Sequence, residues 1–223
     1  MPPSPLRLLL FVLAIAFLVG VVQIGLISIA FDKLGLSAGS AYLLLFSTLL
    51  GSMFNLPLFS LKADPNAPPL PPPPPLPPGL ERFFRRPAYT GKVMIVVNVG
   101  GALVPVAFSL YLISHTGLHT LEVVVTILAV AFVADRLSMP IPGIGIGMPV
   151  LIAPITAALV ASLLDAEHRA PLAYIGGTLG VLIGADLMRL KDIRGLGSPI
   201  ASIGGAGTLD GVFVTGIVAV LLA

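Results

Sequence analysis

The sequence has no cysteine, and only 10% of its 223 residues are charged. Without cysteine the chain has no disulfides, no thiolate nucleophile and no Cys-ligated zinc or iron–sulfur site. Soluble domains carry about 25% charged residues, so this composition cannot cover a surface that faces water. No basic patch with interleaved aromatic residues indicates nucleic-acid binding, and no motif indicates a cofactor or a metal site.

Long uncharged hydrophobic runs are what the sequence does contain. It is 57% hydrophobic, with a mean hydropathy of +1.06. About 20 apolar residues cross the ~30 Å hydrocarbon core of a bilayer as a helix. The runs therefore predict an all-α fold, a polytopic membrane bundle of about seven transmembrane helices. The predicted spans are 8–31, 41–61, 93–114, 121–137, 150–164, 172–190 and 209–223.

A proline-rich stretch interrupts these runs, because residues 63–87 hold 11 of the 22 prolines. Residues 68–78 are predicted to form polyproline II. The predicted domains are then a two-helix membrane hairpin, a Pro-rich basic cytoplasmic linker and a five-helix core, with boundaries 1–62, 63–92 and 93–223. The core has Gly/Pro-rich breaks at 139–149 and 195–208. The linker is a spacer with a basic anchor, or else a docking site for a cytoplasmic protein that binds proline motifs.

The placement of basic residues predicts the orientation in the membrane. With seven spans and a cytoplasmic N-terminus, 10 of the 12 basic residues fall on the cytoplasmic side. Such a bias in short loops sets membrane topology. The prediction is a multi-pass protein in contact with the lipid bilayer, with its N-terminus inside and its C-terminus outside.

Three aspartates lie at the ends of the predicted spans. Asp186 is near the end of the sixth span, Asp210 near the start of the seventh and Asp135 at the end of the fourth. With the predicted orientation all three occupy the same depth. Ionisable groups inside membrane segments are rare and energetically costly, so each is a candidate functional residue.

The first interpretation of Asp186 and Asp210 is a catalytic pair. Two carboxylates held close together share a proton, so one can activate a water while the other protonates a carbonyl. This is amide hydrolysis without a covalent intermediate. Three glycines before Asp210 would let an extended peptide backbone approach it: Gly204, Gly205 and Gly207. The structural alternative is that Asp186 pairs with Arg189 and Asp210 caps the last helix.

The remaining polar candidates favour structural roles. Asp135 next to Arg136 is typical of a charge pair at the membrane interface. Asn55 and Asn98 are typical of hydrogen bonds between membrane helices, and they are retained as candidates for binding or for a relay. A second function from another class is a small transporter or channel that uses the three aspartates as an ion or proton relay. A third is a non-catalytic membrane scaffold.

Four stretches resemble known families. GSMFNLPL (51–58), VNVGGALVPV (97–106), IGADLMRL (183–190) and ASIGGAGTLDGVFVTGIVAVLLA (201–223) resemble a family of prokaryotic multi-pass membrane proteins that is a domain of unknown function. This resemblance implies an inner (plasma) membrane protein. A more distant similarity is to the Gly-x-Gly-Asp intramembrane aspartyl proteases. It implies a hydrolase with a membrane-embedded peptide substrate, in which Asp186 and Asp210 are the first and second aspartates. Here the second motif reads Gly-Thr-Leu-Asp.

Overall fold

The computed structural model describes residues 20, 23–65, 91–141, 145–205 and 211–223. The α-helices in these residues are α1 (Gln23–Lys33), α2 (Ala38–Gly51), α3 (Val104–His115), α4 (Thr120–Leu137), α5 (Ile152–Leu164), α6 (Arg169–Val181) and α7 (Gly211–Leu222). The strands are β1 (Asn55–Lys62), β2 (Lys92–Asn98), β3 (Met139–Ile141), β4 (Gly145–Gly147) and β5 (Ile200–Ile203). Two π-helical segments, Val99–Leu103 and Leu182–Leu187, and a 3-10 turn, Asp192–Gly195, complete these elements.

The predicted all-α bundle of seven membrane spans is wrong. The described residues contain two sheets as well as helices. Within the part of the chain that the structure describes, only the continuous helix Arg169–Leu187, 19 residues long, is long and apolar enough to cross a membrane, and buried core helices of soluble proteins reach the same length and composition. A second span exists only if α1 and α2, bent by 117° at their junction, count as one.

The prediction failed in part because two of the predicted spans each contain a strand. Residues 41–61 divide into α2 and β1, and residues 93–114 divide into β2, a π-helical segment and α3. Hydropathy does not separate a short apolar strand from a helix. The local signals for strand are the valine-rich sequence of β2 and Pro57, which lies in an edge strand next to a register shift. An edge strand tolerates proline because one of its sides makes no ladder hydrogen bonds.

The larger sheet joins distant parts of the chain. Its strand order is β1-β2-β5. β1 pairs antiparallel with β2 from Asn55↔Asn98 to Lys62↔Lys92, and β5 pairs parallel with β2. The second sheet is a β3–β4 hairpin inside the predicted 139–149 break. Pairing of β1 with β2 also means that the proline-rich stretch leaves and re-enters the fold at adjacent positions. The predicted polyproline conformation of 68–78 lies outside the described residues.

Helix α6 is the centre of the fold, and it is buried along almost its whole length. Gly176, Gly180 and Gly184 lie four residues apart on its α4 side, the last of them in the π-helical extension of α6. A Cβ at any of these three glycines would overlap atoms of α4. Small residues at this spacing let two helix backbones approach closely. Helices α5 and α7 pack on other parts of α6, and so the segment that carries Asp186 emerges from the most tightly packed helix.

Candidate functional site

Asp186 lies in the π-helical segment Leu182–Leu187, which continues α6. Such π-helical turns inside longer helices are frequent at functional sites, because the extra residue in the turn changes the direction of the side chains. Gly184 lies in the same segment, where a Cβ would overlap the backbone of Ala131 in α4. The close approach to α4 therefore sets the position of the backbone two residues before Asp186.

Asp186 lines a cavity of about 220 Å³. All of β5 contributes to the cavity wall, and so does the loop that precedes β5. The other lining residues come from that loop (Ile193, Leu196 and Ser198), from β4 (Gly145 and Ile146) and from the chain after β5 (Gly205). The cavity thus lies between two short strands of different sheets, with one carboxylate in its wall.

The carboxylate of Asp186 has a backbone partner in the glycine segment. The N–H of Gly204 donates a hydrogen bond of 2.7 Å to Asp186 Oδ2. Gly204 and Gly205 have φ values of +77° and +83°, in the left-handed region that favours glycine. Two of the three glycines predicted for the site therefore lie beside Asp186 or in its cavity.

The second predicted aspartate, Asp210, and the third glycine, Gly207, lie outside the described residues. Asp210 directly precedes Gly211, the first residue of α7, and follows the cavity-lining Gly205 by five positions in the sequence. The pairing of Asp186 with Asp210 stays a prediction.

Asp135 contacts Arg189 more closely than the predicted partner Arg136. Arg189 Nε lies 2.9 Å from Asp135 Oδ1, whereas Arg136 Nε lies 3.9 Å from Oδ2. Arg189 also donates from Nη2 to the carbonyl of Asp135 and from Nη1 to Asp192 Oδ2, at 3.1 Å. The hydrogen bond to Asp192 and the charge of Asp135 raise the pKa of Arg189. In the structural alternative Arg189 was the partner of Asp186, but all three guanidinium nitrogens contact Asp135 or Asp192.

Asn55 and Asn98 lie at the paired ends of β1 and β2, not between helices. The Nδ2 of buried Asn98 donates to the carbonyl of Ser52 at 2.8 Å and to Asn55 Oδ1 at 3.1 Å. Its Oδ1 accepts from the N–H of Gly101 at 2.7 Å. Asn55 Oδ1 also accepts from Ser202 Oγ at 3.0 Å. The two asparagines therefore join β1, β2, the first π-helical segment and β5.

Several cavity residues were missed by sequence reasoning, namely Ser202 and the apolar wall residues Ile193 and Leu196. The local sequence of β5 gives little indication of a strand, since it has only two β-branched residues, Ile200 and Ile203, before Gly204. Which strand it pairs with cannot be read from such a pattern. No group of three or more potential metal ligands of the His, Asp or Glu type occurs within the described parts of the chain.

Residues 49–222 match the family described as "Protein of unknown function (DUF1614)". The chain belongs to this family. The match runs from the end of α2 into the last residues of α7, and so it contains all of the cavity-lining residues. No curated protein and no solved structure matches the chain.

Proposed function

We propose that this DUF1614 protein is a membrane-embedded hydrolase of the aspartyl-protease type that uses Asp186 and Asp210. The observation that carries the proposal is the placement of Asp186 in the wall of a cavity that is also lined by β5, by glycines and by side chains of the loop before β5. A strand and a carboxylate in the same wall favour an extended peptide as the substrate.

Strand β5 supports a peptide substrate. Within the described residues it is an edge strand of the β1-β2-β5 sheet, and all four of its residues line the cavity. The unpaired N–H and C=O groups of an edge strand bind extended peptides by adding a strand. Gly205 and Gly145, which also line the cavity, have no side chains to obstruct the substrate backbone.

The chemistry assigns the two carboxylates different roles. Asp186 accepts a hydrogen bond from the N–H of Gly204, which suits an ionised, acceptor-only carboxylate. Asp186 is therefore assigned as the base that takes a proton from the attacking water. Asp210, protonated, would donate its proton to the carbonyl oxygen as the water oxygen bonds to the carbonyl carbon. In the collapse of this gem-diol intermediate the C–N bond breaks as Asp186 gives its proton to the leaving nitrogen and Asp210 takes a proton from a hydroxyl, which releases an amine and a carboxylic acid and restores both carboxyl groups.

Exposed apolar side chains support a lipid environment. Leu43, Met53, Leu121 and Leu163 are each more than 70% exposed, and many other large apolar residues of α2, β1, α4 and α5 are also exposed. Soluble monomers rarely expose contiguous apolar surface on this scale. We therefore propose that the bilayer covers these faces. The inner-membrane location and the cytoplasmic N-terminus, which follow from the resemblance and the charge bias, remain predictions.

A relay through three aspartates has less support. The carboxylate of Asp135 already has a fixed counter-ion in Arg189, so it is not available as a site for a transported cation. No observation within the described residues supports the scaffold alternative.

Cleavage of single-span model peptides in proteoliposomes tests the proposal. Wild-type protein and the control Glu167→Gln, which removes a carboxylate from an exposed turn, should cleave at the same rate. Asp186→Asn and Asp210→Asn should each lose about 10²-fold or more, the usual contribution of an acid or base group. Cleavage that persists in both asparagine variants contradicts the proposal. Proton flux without cleavage in the wild type would favour the relay.

A further inference from the structure

We propose that Arg189 is a positioning residue for Asp186, because its guanidinium joins three elements at the site. These elements are the end of α4, the chain around Asp186 and the loop 191–199, which we call the wall loop. The inference deepens the proposed function, since it takes Asp186 to be the working carboxylate. The test of this inference does not measure substrate turnover, so the inference and the proposed function can fail independently.

Each of the three guanidinium nitrogens of Arg189 lies close to an oxygen, and Nη1 and Nη2 donate hydrogen bonds whereas Nε makes an ion-pair contact. Nε is 2.9 Å from Asp135 Oδ1, Nη2 donates to the carbonyl of Asp135, and Nη1 is 3.1 Å from Asp192 Oδ2. The first two contacts reach the end of α4, and the third reaches the wall loop. Only the planar fork of arginine makes contacts in these three directions at once, because the ammonium of lysine is a single compact charge.

The segment around Asp186 is held on α4 at two points. Gly184 lies against the backbone of Ala131, and Arg189 contacts Asp135. Ala131 and Asp135 are four residues apart, so they lie about one turn from each other on the same side of α4. Asp186 lies between the two anchored positions. Loss of the Arg189 contact removes the anchor on the C-terminal side of Asp186 and leaves the Gly184 contact with α4 on the other side.

The same arginine also holds the wall of the cavity. The wall loop contributes Ile193, Leu196 and Ser198 to the lining. Besides the Asp192 contact, this loop is attached through Arg194, whose Nε donates to the carbonyl of Lys62 at 2.8 Å. Arg189 thus fixes the carboxylate relative to the apolar wall that faces it.

Hydrogen exchange at the Gly204 amide measures this positioning directly, because that N–H donates to Asp186 Oδ2. The exchange of purified full-length protein in detergent micelles is followed by mass spectrometry with residue resolution. In Arg189→Gln and in Arg189→Lys, exchange at Gly204 should rise by roughly tenfold or more, the factor that corresponds to loss of a charge-assisted hydrogen bond. Asp186→Ala supplies the reference for the amide without its acceptor.

Arg136→Gln is the matched control. It removes an arginine that approaches the same carboxylate of Asp135, but at 3.9 Å and with a side chain that is 69% exposed. Gly204 should exchange in this variant as in the wild type. Asp192→Asn removes one contact of Arg189 and should give an intermediate rise.

Three results would overturn the inference. Gly204 exchange that is unchanged in Arg189→Gln but raised in Asp186→Ala would show that Arg189 does not position the carboxylate. Unchanged exchange in Asp186→Ala would remove the hydrogen bond on which the inference depends. Equal acceleration at Gly204 and in the centre of α6, in Arg189→Gln and Asp192→Asn alike, would show that the arginine only stabilises the whole fold.

Discussion

Gly101 and Gly204 lie so close together that a Cβ on Gly101 would overlap the carbonyl oxygen of Gly204. Gly101 belongs to the first π-helical segment, and Gly204 donates its N–H to Asp186 in the second. Both described π-helical segments therefore contact Gly204, and the contact between the two glycines sets the position of the hydrogen-bond donor to the carboxylate.

Gly101→Ala should accordingly disrupt the site. The methyl group displaces Gly204, so we expect a loss of about 1–3 kcal/mol in the free energy of unfolding, as in overpacked cores, together with faster hydrogen exchange at the Gly204 amide. Chemical denaturation measures the first effect. The control is Gly195→Ala, since a Cβ there meets no atom within 4 Å and the residue needs no positive φ. Equal stability of the two variants would contradict the predicted close approach.

Replacement of glycine by alanine should have opposite effects on stability at a helical glycine packed against α4 and at one in open space. A Cβ at Gly180 would overlap Val130 of α4, whereas a Cβ at Gly25 in α1 meets nothing within 4 Å. Gly180→Ala should lower the free energy of unfolding by about 1–3 kcal/mol. Gly25→Ala should raise it by about 0.5–1 kcal/mol, because alanine is the better helix former. Thermal unfolding in the same detergent measures the stability of both variants against the wild type. A Gly180→Ala variant that is more stable than the wild type would show that α4 and α6 are further apart than the structure has them.

The turn before α6 predicts a pH dependence. The N–H of His168 and that of Glu167 donate to Asp165 Oδ1 at 3.0 and 2.9 Å. These hydrogen bonds, the one from the His168 N–H foremost, lower the pKa of Asp165 from its ordinary value of 3.8. A carboxyl whose pKa is lower in the folded state stabilises the fold above its unfolded pKa, and that stability is lost as the pH falls through the folded pKa.

The test compares wild type with Asp165→Asn across pH. The wild type should have the higher Tm at pH 6, and the difference should shrink as the pH falls below about 3.8. Glu167→Gln, which leaves the backbone N–H groups in place, is the control. Its difference in Tm from the wild type should not shrink in this way. A difference in Tm that is constant down to pH 2 would mean that the hydrogen bonds of Asp165 do not depend on its charge.

The β1–β2 pairing predicts that the proline-rich stretch can be removed. Lys62 pairs with Lys92, and the N–H of Ala63 donates to the carbonyl of Gly91 at 3.1 Å. Replacing residues 66–90 with Asn-Gly leaves a four-residue loop, a common length for a β-hairpin. The Tm should stay the same or rise slightly, since a shorter loop costs less closure entropy.

A variant without residues 66–90 that does not fold would show that the stretch packs on the rest of the protein. A variant that folds would then serve to ask whether the stretch recruits a proline-binding protein. Loss of a partner that binds the full-length protein would support that role, and an unchanged set of partners would argue against it.

Hydropathy located several helices but not the strands. α4, α5 and α7 occupy almost the same residues as three predicted spans, because each is an apolar run bounded by charges or glycines. Two of them are shorter than the about 20 residues that cross a bilayer, since α5 has 13 residues and α7 has 12 described residues. β2 is equally apolar, and its valine-rich sequence is a weak strand signal beside its pairing with β1 and β5.

The candidate site, too, could be predicted only in part from the sequence. Asp186 was a candidate from sequence because a carboxylate in an apolar helix is unusual. Its partner Gly204 belonged to the predicted glycine set, but the hydrogen bond depends on chain packing that no local pattern records. The role of Arg189 could not be predicted, because it depends on Asp135, which lies 54 residues earlier in the chain.

The parallel pairing of β2 with β5 has a consequence for biosynthesis. β2 ends at Asn98 and β5 begins at Ile200, so about a hundred residues must be made between two neighbouring strands. Pairs this far apart in sequence close slowly, because the entropy of the intervening loop is lost before the contact forms. The cavity that holds Asp186 therefore cannot form on the nascent chain before β5, which supplies part of its wall, has been translated.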